Sequence, residues 1–173
     1  MPDVAPSPAC PSAGAPGDPV TGSVERAARP LAATGRLLGL DLGSRRIGVA
    51  VSDSQRRLAT GVTAIARRDP ASDHRTVADL VDEYEAVGVI VGVPLSLSGA
   101  AGPAARAATA EVEQLRATLD VPVDTVDERL TTVQASAGMR AAGRRSHQQR
   151  SVIDQQAAAG LLQTWLEQHR EGG

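Results

Sequence analysis

Between residues 37 and 65, apolar residues occur in three runs that have the length and spacing of short strands. A run over 37–41 ends in an acid, Asp41, and a glycine-containing turn follows it. Over 46–53 apolar residues alternate with small or polar ones, which is the period of two that a half-buried strand shows. A third run covers 58–65 after a polar turn. Three such runs joined by short turns predict an antiparallel meander.

The rest of the chain alternates predicted strands with predicted helices. The run at 87–93 is continuously apolar, as a central strand buried on both faces should be, and 121–126 is another strand. Helical spacing predicts four helices, which begin near Ser72, Pro103, Thr131 and Val152. The apolar stripe of the second helix would consist of Ala104, Ala108, Val112, Leu115 and Leu119. This order predicts an α/β protein with a mixed five-stranded sheet, three antiparallel strands followed by α/β units, and helices on both faces.

Composition divides the chain into a tail and one domain. Residues 1–35 hold seven of the eleven prolines and few large apolar residues, so we expect a disordered tail. Residues 36–170 would form the domain, with a core of Val, Leu, Ile and Ala, because the chain has one Trp, one Tyr and no Phe. The single Cys10 cannot build a disulfide framework or a cysteine metal site. No signal peptide and no membrane-spanning apolar run is visible, so we expect a cytoplasmic protein with no membrane contact.

Two acids follow predicted strands. Asp41 ends the first strand, where a carboxylate is costly to desolvate unless it binds a cation or hydrogen-bond donors. Glu128 follows the fifth strand, and ligands gather at the carboxyl ends of parallel strands. Structural interpretations stand beside these: Asp41 is also typical of an ordinary turn, and Asp127 and Glu128 would interact well with the dipole of a following helix.

A third acid lies on a helical face that must pack on the sheet. Asp154 shares this face with apolar residues that include Trp165, and a charge there needs a partner. The small residues at 157–159 would let the helix approach the sheet closely, bringing Asp154 near the strand-end acids. The alternative is a capping box formed by Ser151 and Asp154.

Three carboxylates at one end of a sheet are what a divalent-cation site requires. Mg²⁺ prefers oxygen ligands and commonly uses only a few carboxylates together with water and substrate phosphate. Two ions about 4 Å apart can promote phosphodiester hydrolysis. We therefore expect Asp41, Glu128 and Asp154 to be catalytic residues that bind Mg²⁺ or Mn²⁺, as two ions.

Four segments resemble, in order, the motifs of the YqgF/RuvX nuclease family. They are 39–53, 91–95 with Gly99 and Gly102, 127–132 with Ala135, and 154–158 with Leu161 and Leu162. The resemblance implies a ribonuclease H-like fold, which the predicted order of strands and helices also matches. It further implies a nuclease that processes the 5′ end of pre-16S ribosomal RNA or resolves Holliday junctions, with Asp41, Glu128 and Asp154 as its acids.

Two other classes of function compete with a nuclease. An actin-like ATPase relative also places an Asp-x-Gly hairpin against phosphate, but this chain is too short for the two domains that enclose a nucleotide. A non-catalytic nucleic-acid-binding factor would have no reason to gather carboxylates. The sequence leaves open a pre-rRNA or a branched DNA substrate, and a monomer or a homodimer.

Several other polar residues are expected to have structural or solvated positions. The acids expected on the solvated face of the first helix are Asp73, Asp79, Asp82, Glu83 and Glu85. None of His74, His147 and His169 is expected to be a metal ligand. Trp165 is expected in the core or at a dimer contact, because it falls on the packed face of its helix.

Arginine must supply the positive charge for substrate, because the chain has no Lys and a net charge of -2. Guanidinium groups suit bidentate phosphate contacts. The candidate substrate-binding residues are Arg45, Arg46, Arg129, Arg144, Arg145 and Arg150. No acid interrupts the stretch from 140 to 150, which leads directly into the helix that carries Asp154. A plainly solvated loop is the alternative for this stretch.

The double change Arg144→Ala and Arg145→Ala should weaken substrate binding on all sequences alike, because phosphate contacts carry no base information. Each lost phosphate contact should flatten the slope of log affinity against log salt by about 0.7 on a single strand or about 0.9 on duplex. Binding titrations across a salt series measure this slope. An unchanged slope of log affinity against log salt would favour the interpretation of this stretch as a solvated loop.

Overall fold

One mixed sheet organises the part of the chain that the structure, a computed structural model, describes: residues 30–94, 102–128 and 147–170. Its strands are β1 (Leu38–Leu42), β2 (Arg46–Ser52), β3 (Ala59–Ala66), β4 (Val89–Val93) and β5 (Val123–Asp127). They lie in the order β3-β2-β1-β4-β5. β1–β2 and β2–β3 are antiparallel, whereas β1–β4 and β4–β5 are parallel. The predicted antiparallel meander followed by α/β units is confirmed, and with it the ribonuclease H-like architecture.

Three described helices cover the two faces of the sheet. They are α1 (Pro70–Glu83), α2 (Pro103–Thr118) and α3 (His147–Gln168). The side chains of Val77 in α1 and Val112 in α2 join the core on one face. Leu162 and Trp165 of α3 join the core on the other face. None of the helices in the described ranges is long and apolar enough to cross a membrane. The helix predicted over 131–142 lies outside the described residues.

The first helix is capped by a different residue from the one predicted. Asp69, not Ser72, is the N-cap of α1, and Pro70 occupies the first helical turn. The Ser72 backbone N–H donates to Asp69 Oδ1 at 2.9 Å, and its hydroxyl donates to Oδ2 at 2.7 Å. These hydrogen bonds lower the pKa of Asp69 from its usual value. Asp and Ser both suit an N-cap. The N-cap is Asp69 because it directly precedes Pro70, and proline favours the first helical position.

Two other helix predictions need correction. In α2 the buried stripe begins at Ala105, three residues before Ala108, and Ala104 is exposed. The third described helix begins at His147 instead of Val152. Ser151 therefore lies inside α3, and the capping-box interpretation of Ser151 and Asp154 is wrong.

Residues just before the predicted domain boundary at 36 contact the rest of the domain. Leu31 packs against the core cluster that contains Leu37, although composition assigned it to the tail. Arg56 Nε donates to the Gly35 carbonyl at 3.1 Å, and the Gly35 N–H donates to the Ser54 carbonyl at 3.1 Å. Leu31 and Gly35 thus make contacts with the domain, and the division into a tail and a domain stays a prediction.

Glycines of the sheet allow α3 to lie unusually close. A Cβ on Gly48 would collide with the Asp154 carbonyl oxygen, and one on Gly61 would lie 2.6 Å from the Gln155 carbonyl oxygen. A Cβ on Gly39 would lie 2.7 Å from Leu162 Cβ. The backbone of α3 therefore rests on the backbone of the sheet, which is the close approach that glycine permits.

Gly48→Ala should force α3 away from β2 and lower stability by about 1–3 kcal/mol, the usual cost of overpacking. Thermal or urea unfolding measures the change. Gly102→Ala is the matched control, because a Cβ there would meet nothing within 4 Å. Equal stability of the two variants would contradict the close packing of α3.

Candidate active site

A cavity of about 570 Å³ opens at the carboxyl edge of β1, β4 and β5. Asp41 and Glu128 both line it, together with the turn that follows β1 and residues from the ends of β3, α1 and α2. Two of the three predicted catalytic acids thus share one cavity, at the sheet edge where the strand order placed them.

Strand alternation puts Asp41 on the α3 side of the sheet. Leu38 and Leu40 belong to the core beneath α1 and α2, so Gly39 and Asp41 face the other way. Asp41 is directly opposite Gly48 in the antiparallel pair, and Gly48 touches the backbone of Asp154. The close approach of α3 therefore brings the backbones of two predicted acids to the same place.

The side chain of Glu128 lies on the other side of β4 from Asp41. A Cβ built on Gly92 would lie 3.2 Å from Glu128 Cγ and Oε1. Leu40 pairs with Val91, so Gly92 continues that register beside Asp41. Gly92 consequently lies between Asp41 and Glu128 across one strand, and Leu161 of α3 occupies the space of its missing side chain, with Glu128 beside it.

Asp154 is at this edge too, and its carboxylate pairs with an arginine. Arg46 Nε donates to Asp154 Oδ2 at 2.8 Å, with side-chain exposures of 13% and 23%. The charge on the packed face of α3 thus finds the partner it needs. Arg46, which is also a predicted substrate contact, pairs with this acid across 108 residues of sequence. Asp154 does not line the cavity that Asp41 and Glu128 share.

The donor set fits a divalent cation only in part. Carboxylate oxygens are the ligands that Mg²⁺ and Mn²⁺ prefer, and Asp41 and Glu128 supply them at one cavity. Within residues 30–94, 102–128 and 147–170, however, no three His, Cys, Asp or Glu side chains are grouped as a metal site. Asp154 would have to turn from Arg46 to complete such a group.

The remaining predicted substrate contacts divide into described and undescribed residues. Arg45, in the turn between β1 and β2, and Arg150, in the first turns of α3, are both exposed. Arg129, Arg144 and Arg145 lie outside the described residues. The predicted phosphate-binding stretch was 140–150; only 147–150 lie within the described residues, where they begin α3, and phosphate binding there stays a prediction.

The opposite wall of the cavity contains acids and an arginine that the sequence analysis did not assign to the site. Asp73 was expected on a solvated face, but it is only 2% exposed and lines the cavity with Glu111 and Arg67. The signal was available, since Asp73 lies four residues before the buried Val77 and so on its helical face. The other acids of this group, Asp79, Asp82, Glu83 and Glu85, are exposed as predicted.

Trp165 is a core residue, as predicted, with a polar partner. It is 4% exposed, and its Nε1 donates to Asp124 Oδ2 at 3.0 Å. The ring of His169 stacks on it with a centroid distance of 4.0 Å. These contacts fix the C-terminal end of α3 against β5, far along the helix from Asp154.

Comparison with known proteins finds one family along nearly the whole domain. The family model described as RuvX, Holliday junction resolvase, matches residues 35–168. A relative from Rhodococcus opacus (strain B4), named "Putative pre-16S rRNA nuclease", is 50% identical over 139 residues, 78% of each chain. Relatives of the same name from Streptomyces avermitilis and Anaeromyxobacter sp. (strain K) are 48% and 43% identical, covering 80% and 76% of this chain and 90% and 96% of theirs.

Solved structures are similar at lower identity. Thermus thermophilus RuvC in complex with Holliday junction substrate is 15% identical, with a TM-score of 0.49, and the match covers 79% of this chain and 97% of that one.

The ion pair between Arg46 and Asp154 should contribute measurably to stability, because both side chains are largely buried. A double-mutant cycle of Arg46→Gln and Asp154→Asn should give a coupling of about 1–3 kcal/mol, the range for hydrogen bonds to charged groups. The control cycle is Arg116→Gln with Glu113→Gln, an exposed pair three residues apart, for which we expect less than about 0.5 kcal/mol. Equal coupling in the two cycles would contradict a structural role for the Arg46–Asp154 pair.

Proposed function

The chain belongs to the RuvX family, and from that premise we propose that it is a nuclease that hydrolyses phosphodiester bonds with the help of divalent cations. One observation carries the proposal: Asp41 and Glu128 line a single cavity at the carboxyl edge of the sheet, on either side of Gly92. Parallel strands direct ligands to this edge. Phosphodiester hydrolysis is also the activity in the names of the relatives that match most of the chain.

Asp41 and Glu128 would hold the cation, Mg²⁺ or Mn²⁺, in this cavity. Bound divalent ions, two in the full arrangement, supply the means to activate a water and to stabilise the leaving oxygen. Asp154 is the third acid of the proposal. When no cation is bound, Arg46 holds the carboxylate of Asp154 at the sheet edge. An arginine beside an acid lowers the repulsion that three clustered carboxylates would otherwise suffer.

The substrate we favour is the 5′ end of pre-16S ribosomal RNA, which makes the protein a ribosome-biogenesis enzyme of the cytoplasm. Support comes from the names of relatives at 43–50% identity. The second candidate is a four-way DNA junction, favoured by the description of the matching family model. Junction cleavage would suit a symmetric homodimer and RNA processing a monomer or a homodimer. Cleavage of both labelled substrates side by side, with Mg²⁺ and with Mn²⁺, separates the two.

Phosphate contacts of this enzyme would come from arginines around the cavity. Arg45 is exposed at the turn after β1, and Arg150 is exposed near the start of α3. Arg129, Arg144 and Arg145 complete the proposed set on the evidence of the sequence alone. Such contacts would position the strand and leave sequence choice to other features of the substrate.

Asp41→Asn and Glu128→Gln should each lower the cleavage rate by more than about 100-fold, because metal assistance contributes several kcal/mol to the transition state. Stability should stay the same or rise, since a repelling carboxylate is removed. Single-turnover cleavage and thermal unfolding measure the two quantities.

Asp79→Asn is the matched control, because Asp79 is exposed on α1 and does not line the cavity. Its cleavage rate should equal that of the unchanged protein. Full activity of Asp41→Asn would overturn the proposed role of the acid. ATP hydrolysis without cleavage of either nucleic acid would favour an actin-like ATPase instead.

A further inference from the structure

Arg67, the residue after β3, contacts two separate parts of the cavity wall. Its Nε donates to the Gly43 carbonyl oxygen at 3.1 Å. Its two terminal nitrogens donate to both carboxylate oxygens of Glu111 in α2, one of them at 3.1 Å. Its own backbone N–H donates to the Arg45 carbonyl oxygen at 3.0 Å. Side chain and backbone together thus hold the turn between β1 and β2 from one side.

This turn directly follows β1, and Asp41 lies in that strand two residues before Gly43. The Gly43 N–H donates to the Asp41 carbonyl oxygen at 2.9 Å, so the two peptide groups are coupled. A Cβ on Gly43 would lie 2.6 Å from the Arg46 carbonyl oxygen, which shows how tightly the turn closes. A displacement of the Gly43 carbonyl group would therefore move the backbone at Asp41.

The guanidinium of Arg67 is itself held in place. Glu111 binds it in a bidentate manner, and Asp73 Oδ2 lies 3.8 Å from its Nη1. Asp73 is buried and also accepts the Arg68 backbone N–H at 3.1 Å. Lysine has one ammonium group in place of this planar fork, so it cannot reproduce contacts to Gly43 and to both oxygens of Glu111.

We propose that Arg67 is a positioning residue for the nuclease reaction: it fixes the turn that directly follows Asp41 and ties that turn to α2 through Glu111. The inference rests on the proposed function, because it gives Asp41 a part in cleavage. Arg67 acts through its neighbours, and its charge is already matched by Glu111 and Asp73. Substrate affinity should accordingly depend on it little. The rate of the chemical step should depend on it strongly, because misplacing a reacting group by about 1 Å can cost about 100-fold.

Arg67→Lys tests the proposal with the positive charge retained. We expect kcat to fall by about 10-fold to 100-fold while KM stays within about 2-fold. Amide hydrogen exchange of residues 41–45 should become faster, because the turn loses its hydrogen bond at Gly43. Glu111→Gln should also lower kcat and speed the amide exchange of residues 41–45, but by less. In this variant Arg67 keeps its hydrogen bond to Gly43 and loses part of its bidentate contact with Glu111.

Arg75→Lys is the matched control, because Arg75 is exposed on α1 and does not line the cavity. Its kcat, KM and amide exchange should all equal those of the unchanged protein. Thermal unfolding of each variant shows whether the fold persists at the assay temperature, and Glu111→Gln provides the test if Arg67→Lys does not fold.

Three results would overturn the inference: an unchanged kcat, a rise in KM with no loss of kcat, or unchanged exchange over residues 41–45. The last of these decides the matter even if no substrate is cleaved. If the unchanged protein cleaves no substrate, the proposed function is wrong. Faster amide exchange in Arg67→Lys would then still show that Arg67 stabilises the turn.

Discussion

The contact between the backbone of α3 and the glycines of the sheet is the constraint on which the site depends. Gly48 and Gly61 leave no side chain between the strands and the carbonyl oxygens of Asp154 and Gln155. Side chains normally fill the space between a helix and the sheet on which it packs. Here the helix is closer, and the acid that it carries therefore lies near the strand that bears Asp41.

The same constraint creates an electrostatic problem, which arginines resolve. Acids brought to one sheet edge repel one another when no cation lies between them. Arg46 pairs with Asp154, and Arg67 pairs with Glu111 close to the buried Asp73. The sheet edge thus has one guanidinium beside Asp154 and another beside Glu111 and Asp73. A negatively charged substrate and its cations would meet carboxylates that are already held in position.

Much of the fold was predictable because it follows from local periodicity. The continuous apolar run of β4 reports burial on both faces, and the helical spacing in α1 and α2 reports their core-facing sides. The period of two in β2 marks the residues that face α1 and α2, although the structure buries both faces of this strand. Strand-end acids are also a local pattern, so Asp41 and Glu128 could be identified before their cavity was known. One departure lies where two local signals compete, as between Asp69 and Ser72 for one cap.

The sequence by itself determined the order of strands and helices, the buried faces and the acids at the sheet edge. Only the tertiary structure decided which charges pair: Arg46 with Asp154 across 108 residues, and Arg67 with Glu111 across 44. The same holds for the burial of Asp73. Periodicity shows which face of one element is buried, but it does not give the distance between that element and another. Ion pairs form at distances of a few ångströms, so they depend on that spacing and on the glycines that allow it.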